Sequence, residues 1–200
     1  MAQPTASAWQ PTLLDQSMGG LAAVERIRLD ATSWLDHSPA WLARADHLFE
    51  QLRAGLRWHA GERLMYERVV AVPRLTAPVT GESALWPSIS PIVEALSQRY
   101  EVALDQVWCN YYRNGADSVA WHGDRNRHTE RNPLVAIVSL GEPRRFLVRP
   151  RRGGASRRFE LGHGDLLVMG GACQHDHEHC VPKVRRAGPR ISVTFRSAGR

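Results

Sequence analysis

Two short segments carry residues whose types and spacing could hold a metal ion. In the first, His122 and Asp124 lie two residues apart in the sequence WHGD. Positions i and i+2 of an extended chain face the same side, so the imidazole and the carboxylate could reach one ion. The second segment, residues 173–180, reads CQHDHEHC. If it were an extended strand, its three evenly spaced histidines would share one side and form a second candidate metal site: His175, His177 and His179.

One histidine of the second segment would complete a set of two imidazoles and one carboxylate with His122 and Asp124. Such a facial triad leaves coordination positions open and suits non-haem Fe(II) enzymes that activate O₂. Spacing alone leaves two alternatives for the third ligand, His177 and His179, because both would lie on one strand face. A separate zinc site within residues 175–179 is a further alternative, although the even spacing differs from the H-x-H-x-D-H pattern of metallo-hydrolases.

Polar side chains near the end of the chain predict a site for an anion. The predicted strand RISVTFR, residues 190–196, carries two arginines on one face, together with a serine and a threonine. Arginines that point into a sheet interior are costly unless an anion meets them. Upstream, Asn110 and Tyr112 share one face of a second predicted strand and offer an amide and a phenol. These residues together predict a pocket for a small dianion.

The elements that would position these residues are two helices followed by short strands. Residues 38–56 predict a helix, because Ser38 suits an N-cap, Pro39 suits the first turn, and the apolar residues repeat at helical spacing. A second helix is predicted at residues 90–100. Six later segments are rich in β-branched or aromatic residues and are separated by turn residues: QVWCNYY, PLVAIVSL, RRFLVRP, RRFEL, DLLVMG and RISVTFR.

This order of elements predicts an α+β fold with an antiparallel sandwich or barrel built like a jelly roll. A chain of 200 residues suits one domain that buries a full core. We expect this domain to span residues 37–200. Residues 1–36 are weakly patterned and are expected to form an N-terminal extension that packs on it.

Charge and cysteine content narrow the class of protein. The net charge is +6, and Lys183 is the only lysine among the 26 basic residues. Arginine grips carboxylates and phosphates through two parallel hydrogen bonds, which favours an anionic partner or substrate. The three cysteines have no C-x-x-C spacing, which argues against a disulfide framework. Neither a secretory signal nor a stretch of about 20 apolar residues is visible, so a cytoplasmic protein without membrane association is expected.

Several motifs occur in the order found in one known family. They are N-x-Y at 110–112, H-x-D at 122–124, H-x-V-P-K at 179–183 and R-x-S-x-T-F-R at 190–196. With the VPRL segment at 72–75, they make the chain resemble the Fe(II)/2-oxoglutarate dioxygenases of the AlkB family from about residue 68 to residue 196. The resemblance implies a double-stranded β-helix, the jelly roll of this family, with N-terminal helices packed on one face. It also implies Fe(II), the cosubstrate 2-oxoglutarate, and O₂.

The same resemblance assigns roles to individual residues. It favours His179 over His177, so the catalytic iron would be held by His122, Asp124 and His179. Arg190 and Tyr112 would bind the distal carboxylate of 2-oxoglutarate. The remaining residues of the cosubstrate site would be Asn110, Ser192 and Arg196. Arg74 and Asn126 are candidate substrate contacts by the same resemblance, and Trp121 is a further candidate as an aromatic surface for an unstacked base.

The function implied is oxidative demethylation of N-alkylated bases in nucleic acid, as in alkylation DNA repair. Alkylated DNA is the expected partner, RNA is a second candidate, and a monomer is expected. Well-studied members carry an acidic residue at the position of Asn126, so the choice of base is open. One alternative is the same iron chemistry on RNA, tRNA or a non-nucleic substrate. Another is a metal-stabilised, arginine-rich module, with a basic hairpin at 144–159, that binds nucleic acid without turnover.

Overall fold

The computed structural model describes residues 24–65, 68–124 and 133–197, with the backbone alone for residues 62–65 and 68–71. Within these ranges the chain forms twelve strands and three helices. The helices are α1 (Ala45–Gly55), α2 (Trp86–Tyr100) and α3 (Cys173–Asp176). The strands are β1 (Glu25–Arg28), β2 (Ser33–Ser38), β3 (His59–Met65), β4 (Arg68–Val79), β5 (Gln106–Tyr112), β6 (Val119–His122), β7 (Val135–Gly141), β8 (Arg144–Pro150), β9 (Arg157–Leu161), β10 (Leu166–Gly171), β11 (His177–Val181) and β12 (Arg190–Arg196).

The strands form two antiparallel sheets. The larger sheet has the order β1-β2-β10-β7-β12-β5-β4-β3, and the smaller one has the order β6-β11-β8-β9. An apolar cluster joins the two sheets, with Tyr112 and Ile137 from the larger and Phe146 and Val181 from the smaller. A mostly antiparallel fold with few helices and two facing sheets fits the predicted jelly roll.

The opposite face of the larger sheet belongs to a second apolar cluster. Leu48 and Leu52 of α1, Ile89 and Leu96 of α2, and alternate residues of the central strands are buried together in it. Because side chains of a strand alternate between faces, β5 places Val107 and Cys109 in this cluster and turns its even-numbered residues towards the smaller sheet. In the described part of the chain, no helix combines the length and the apolar character needed to cross a membrane.

Four predicted strands have the predicted bounds, whereas the start of the first helix was predicted wrongly. Ser38 is the last residue of β2 rather than an N-cap, and α1 begins at Ala45. The intervening backbone bonds to a distant turn instead, because the N–H of Ala40 donates to Asp165 Oδ1 and that of Leu42 donates to the carbonyl of Gly164. The second helix begins at Trp86 rather than at residue 90, with a proline in its first turn.

The expected N-terminal extension is described from residue 24 onward. Strands β1 and β2 form one edge of the larger sheet, where β2 pairs with β10. Strand β2 runs across the boundary expected between residues 36 and 37. The described part of the extension is therefore continuous with the sheet, and residues 1–23 lie outside the described ranges.

Candidate metal centre and its pocket

A pocket of about 130 Å³ lies between the two sheets and contains most of the predicted site residues. Pockets for drug-sized ligands are about 300–1,000 Å³, so this one suits a small metabolite. Strand β12 supplies one wall and β5 pairs with it in register, with Arg190 opposite Tyr112 and Ser192 opposite Asn110. Strand β7 pairs with the other side of β12, with Ser139 opposite Ser192.

At one end of the pocket, His122, Asp124 and His179 bring their ligand atoms within 4.8 Å of one another. Strand pairing sets this geometry, because His179 of β11 lies opposite His122 of β6. The Nε2 atoms of the two histidines each lie 3.8 Å from a different carboxylate oxygen of Asp124. Two ligand atoms on an ion with bonds of about 2.0–2.2 Å lie about 3 Å apart at right angles and about 4 Å apart in line, so small side-chain rotations would bring this group onto one ion.

The protonation states of the three residues suit metal binding. Burial lowers the pKa of His179 to about 3, so its imidazole is neutral and its lone pair is available. His122 Nδ1 lies 2.8 Å from the carbonyl oxygen of Ala120, which fixes the proton on Nδ1 and leaves Nε2 free. Burial alone would raise the pKa of Asp124, but the nearby charge of Arg196 outweighs it and lowers that pKa, so the carboxylate is ionised.

The other two histidines of the CQHDHEHC segment lie apart from this group. The expectation that all three share one side of a strand was wrong, because residues 173–176 form the helical turn α3 and the strand begins at His177. His175 is exposed, and His177 Nε2 lies 3.7 Å from Asp30 Oδ2. No described residue group that includes His175 or His177 brings three ligand atoms together, which argues against the alternative of a separate zinc site.

At the other end of the pocket, Arg190 presents a buried positive charge. Its side chain is 1% exposed, its Nε donates to Ser139 Oγ at 2.9 Å, and its Nη1 has no hydrogen-bond partner within the described chain. Burial lowers its pKa to about 10, which leaves the guanidinium charged at neutral pH. The Tyr112 ring lies 5.3 Å from its Cζ. A buried guanidinium with an unused donor is a site for a carboxylate.

The remaining predicted residues of the cosubstrate site lie between the two ends. Ser192 and Asn110 line the pocket, and Asn110 Oδ1 accepts a hydrogen bond of 2.8 Å from Arg74 Nε. Arg196 Nη2 lies 3.0 Å from Asp124 Oδ1, while its buried Nε has no hydrogen-bond partner among the described residues. The pocket therefore runs from the guanidinium of Arg190 to that of Arg196, next to the metal-ligand group.

Of the three predicted substrate contacts, two are described. Arg74 lines the pocket and bonds to Asn110. Trp121 lies beside His122 in β6, and one face of its ring is covered by Arg149, whose Cζ lies 4.0 Å from the ring centroid. Glu178 holds Arg149 in that position through a salt bridge of 2.5 Å. Asn126 lies outside the described residues.

The arginines of the predicted basic hairpin differ in their surroundings. Arg144 is 2% exposed, and its guanidinium donates to the backbone carbonyls of residues 114, 117 and 182. It therefore links the loop between β5 and β6 to the loop after β11 and is unavailable to phosphate. Arg149 and Arg158 pair with glutamates, whereas exposed arginines remain on the hairpin surface: Arg145, Arg152 and Arg157.

Sequence reasoning missed residues that position the metal ligands. Gln174 Oε1 accepts a hydrogen bond of 2.9 Å from the backbone N–H of Asp124, and Gln174 is 1% exposed. Arg151 donates to the carbonyls of residues 174, 175 and 177. A Cβ at Gly123 would lie 2.9 Å from the backbone carbonyl oxygen of Gln174 and would also displace the Arg151 guanidinium, so this close approach favours glycine between the first two ligands. Ser139 was also missed, although a lone polar residue in the apolar run VAIVSL was a usable signal.

Gln174→Met should weaken metal binding about 10- to 100-fold, because the variant keeps the length of the side chain and removes the acceptor that orients Asp124. Isothermal titration with Mn(II) in the presence of 2-oxoglutarate measures the change. Cys173→Ala is the matched control, since Cys173 is buried on the same helical turn and belongs to an apolar cluster. Equal affinities in Gln174→Met and wild type would contradict this role.

Comparisons with known proteins agree with this geometry. Residues 47–196 match the model of the 2OG-Fe(II) oxygenase superfamily. The alpha-ketoglutarate-dependent dioxygenase alkB homolog 3 of Bos taurus is 34% identical over 178 residues, covering 78% of this chain and 62% of that relative. The DNA oxidative demethylase ALKBH2 of Arabidopsis thaliana is 32% identical over 139 residues, covering 56% of this chain and 44% of that relative. This chain thus spans about three fifths or less of the length of these two relatives.

A solved structure shows the same fold. The structure of OsALKBH1 superposes with a TM-score of 0.59 at 16% sequence identity, covering 86% of this chain and 100% of that chain.

Proposed function

Because the chain belongs to the 2OG-Fe(II) oxygenase superfamily, as an AlkB-like member, we propose that it oxidatively demethylates N-alkylated bases in nucleic acid. The observation that carries this proposal is the arrangement of one pocket. Three metal-ligating groups lie at one end of it, and a buried arginine with an unused donor lies at the other.

The residues of the pocket fit the metal and the cosubstrate of this superfamily. Two imidazoles and an ionised carboxylate, from His122, His179 and Asp124, would hold Fe(II) and leave positions for O₂ and 2-oxoglutarate. Arg190 would bind the distal carboxylate of 2-oxoglutarate through its Nη1, next to Tyr112. Asn110, Ser192 and Arg196 would line the rest of the cosubstrate.

When bound, Fe(II) supplies the oxidising chemistry in which 2-oxoglutarate and O₂ become succinate and CO₂ while one oxygen atom enters the N-methyl group. The hydroxymethyl product then loses formaldehyde. The chain itself contributes position and exclusion of water. Hydrophobic residues around the pocket, such as Ile137 and Phe146, are buried, and Ser139 fixes the guanidinium of Arg190. Arg196 and Gln174 keep the carboxylate of Asp124 ionised and oriented.

Nucleic acid is the substrate class that fits best. Relatives named as a DNA oxidative demethylase and as alkB homolog 3 match most of the domain. The net charge of +6 favours a polyanion, and the exposed arginines of the β8–β9 hairpin could follow a phosphate backbone. We further propose a monomer whose helices α1 and α2 brace one face of the double-stranded β-helix.

The test is formaldehyde release with Fe(II) and 2-oxoglutarate from oligonucleotides that carry 1-methyladenine or 3-methylcytosine, single- and double-stranded, beside a methylated tRNA. We expect release from at least one of them, and none when 2-oxoglutarate is omitted. Succinate formation without formaldehyde release from any of these nucleic acids would indicate a non-nucleic substrate. Absence of succinate under every condition would favour a binding module without turnover.

A further inference from the structure

Trp108 is an exposed aromatic side chain on the wall that contains the pocket. At 41% exposure, it is the one large apolar residue that is exposed among those whose surfaces are described. Its neighbours in β5, Val107 and Cys109, are buried in the cluster that contains the helices. Because strand residues alternate, Trp108 faces the other way, on the same side as Asn110 and Tyr112. These two residues line the pocket.

Strand register places Trp108 near the metal-ligand group. Trp108 lies opposite Thr194 of β12, which lines the pocket, and opposite the exposed Pro78 of β4. Residues paired in this way have Cβ atoms about 4.5–5.5 Å apart. The next residue on the same face of β12 is Arg196, whose guanidinium contacts Asp124. The indole therefore lies on β5, next to β12, and β12 is the strand whose Arg196 contacts the metal ligand Asp124.

Exposure increases along both strands towards this end of the pocket. On β5 it rises from 3% at Tyr112 to 41% at Trp108. On β12 it rises from 1% at Arg190 to a side-chain value of 26% at Arg196. The side chain of His122, on the facing sheet, is 35% exposed. The pocket wall is therefore more exposed at this end, where Trp108 lies, and a substrate that enters here meets the indole.

We propose that Trp108 is a substrate-binding residue whose indole stacks on the alkylated base and holds its methyl group towards the metal, an inference that rests on the proposed function. An indole presents a flat apolar face that suits the face of any base. The other tryptophan beside the site, Trp121, has one ring face covered by Arg149. Trp58 packs against Tyr111, which faces the helix side of the sheet. Among these three indoles, Trp108 is the exposed one, and it lies on the strand face that lines the pocket.

The experiment compares Trp108→Ala with Trp108→Phe in the full chain, with Mn(II) and 2-oxoglutarate bound. Fluorescence anisotropy measures the affinity for a labelled single-stranded oligonucleotide that carries one 1-methyladenine. We expect Trp108→Ala to bind about 5- to 150-fold more weakly, and Trp108→Phe to stay within about threefold of wild type, because phenylalanine keeps an aromatic face. Trp58→Phe is the matched control on the opposite face and should bind like wild type.

Two further measurements separate the explanations. The thermal midpoint of Trp108→Ala should lie within about 2 °C of wild type, because the replaced side chain is exposed. The binding loss should persist with an oligonucleotide whose methylated base is flanked by abasic sites on both sides. Loss of the difference on that oligonucleotide would mean that the indole contacts a neighbouring base, and the proposal would be wrong.

The outcomes also distinguish this inference from the proposed function. If wild type releases formaldehyde and Trp108→Ala binds the oligonucleotide equally well, the stacking role is excluded and the demethylase function stands. If wild type neither binds the oligonucleotide nor releases formaldehyde from any methylated nucleic acid, the proposed function fails, and the role of Trp108 fails with it.

Discussion

His179→Ala is expected to lower metal affinity and succinate formation by more than about 100-fold. Replacing a residue that only orients a metal ligand costs about 10- to 100-fold, and removal of a ligand should cost more. His179 is 5% exposed, it lies opposite His122 in the sheet, and its imidazole is neutral. Titration with Mn(II) and an assay of succinate measure the two effects.

His175→Ala and His177→Ala are the matched controls for this prediction. Both residues belong to the same segment, but His175 is exposed on α3 and His177 lies beside Asp30. We expect both variants to keep metal affinity within about tenfold of wild type, less than the loss on removal of a ligand. If His177→Ala lost the metal and His179→Ala retained it, the assignment of the third ligand would be reversed.

Arg190→Met is expected to raise the KM for 2-oxoglutarate about 30- to 5,000-fold. Truncation of one partner in a buried, hydrogen-bonded charge pair costs about 2–5 kcal/mol, which corresponds to this range. Methionine fills much of the same volume without the unused Nη1 donor. The KM of Arg190→Lys should lie between those of wild type and Arg190→Met, since an ammonium keeps the charge but not the planar, two-point contact.

Initial rates of succinate formation at varied 2-oxoglutarate give the KM of each variant. Arg145→Met is the control, because Arg145 is an exposed arginine of β8. Equal KM values for the variants at 190 and 145 would show that the cosubstrate binds elsewhere.

Local patterns predicted much of the fold. Strands β5, β8, β9 and β12 have the predicted bounds, because alternation and flanking turn residues are properties of short segments. The start of α1 could not be found in this way. The backbone N–H groups of Ala40 and Leu42 bond to the turn at residues 164 and 165, which is remote in sequence. Tertiary hydrogen bonds thus overrode a sequence that suits a helix N-terminus.

In the candidate site, too, local spacing predicted some residues and contacts between distant segments determined others. The H-x-D spacing and the arginines of β12 pointed to the pocket, since i and i+2 positions share a face. The even spacing of the CQHDHEHC histidines misled, because the chain turns through α3 before the strand begins. Gln174 contacts Asp124 through a pairing between distant segments, so no local pattern could reveal it.

The buried cysteines bear on how the protein would withstand its own chemistry. All three thiols are buried, and burial raises the pKa of Cys109 and of Cys173 to about 12. Oxidants attack the thiolate, and these thiols stay protonated at neutral pH. Sulfenic acid formation and cross-linking between molecules should therefore be slow, which would allow long incubation in air without a thiol reductant.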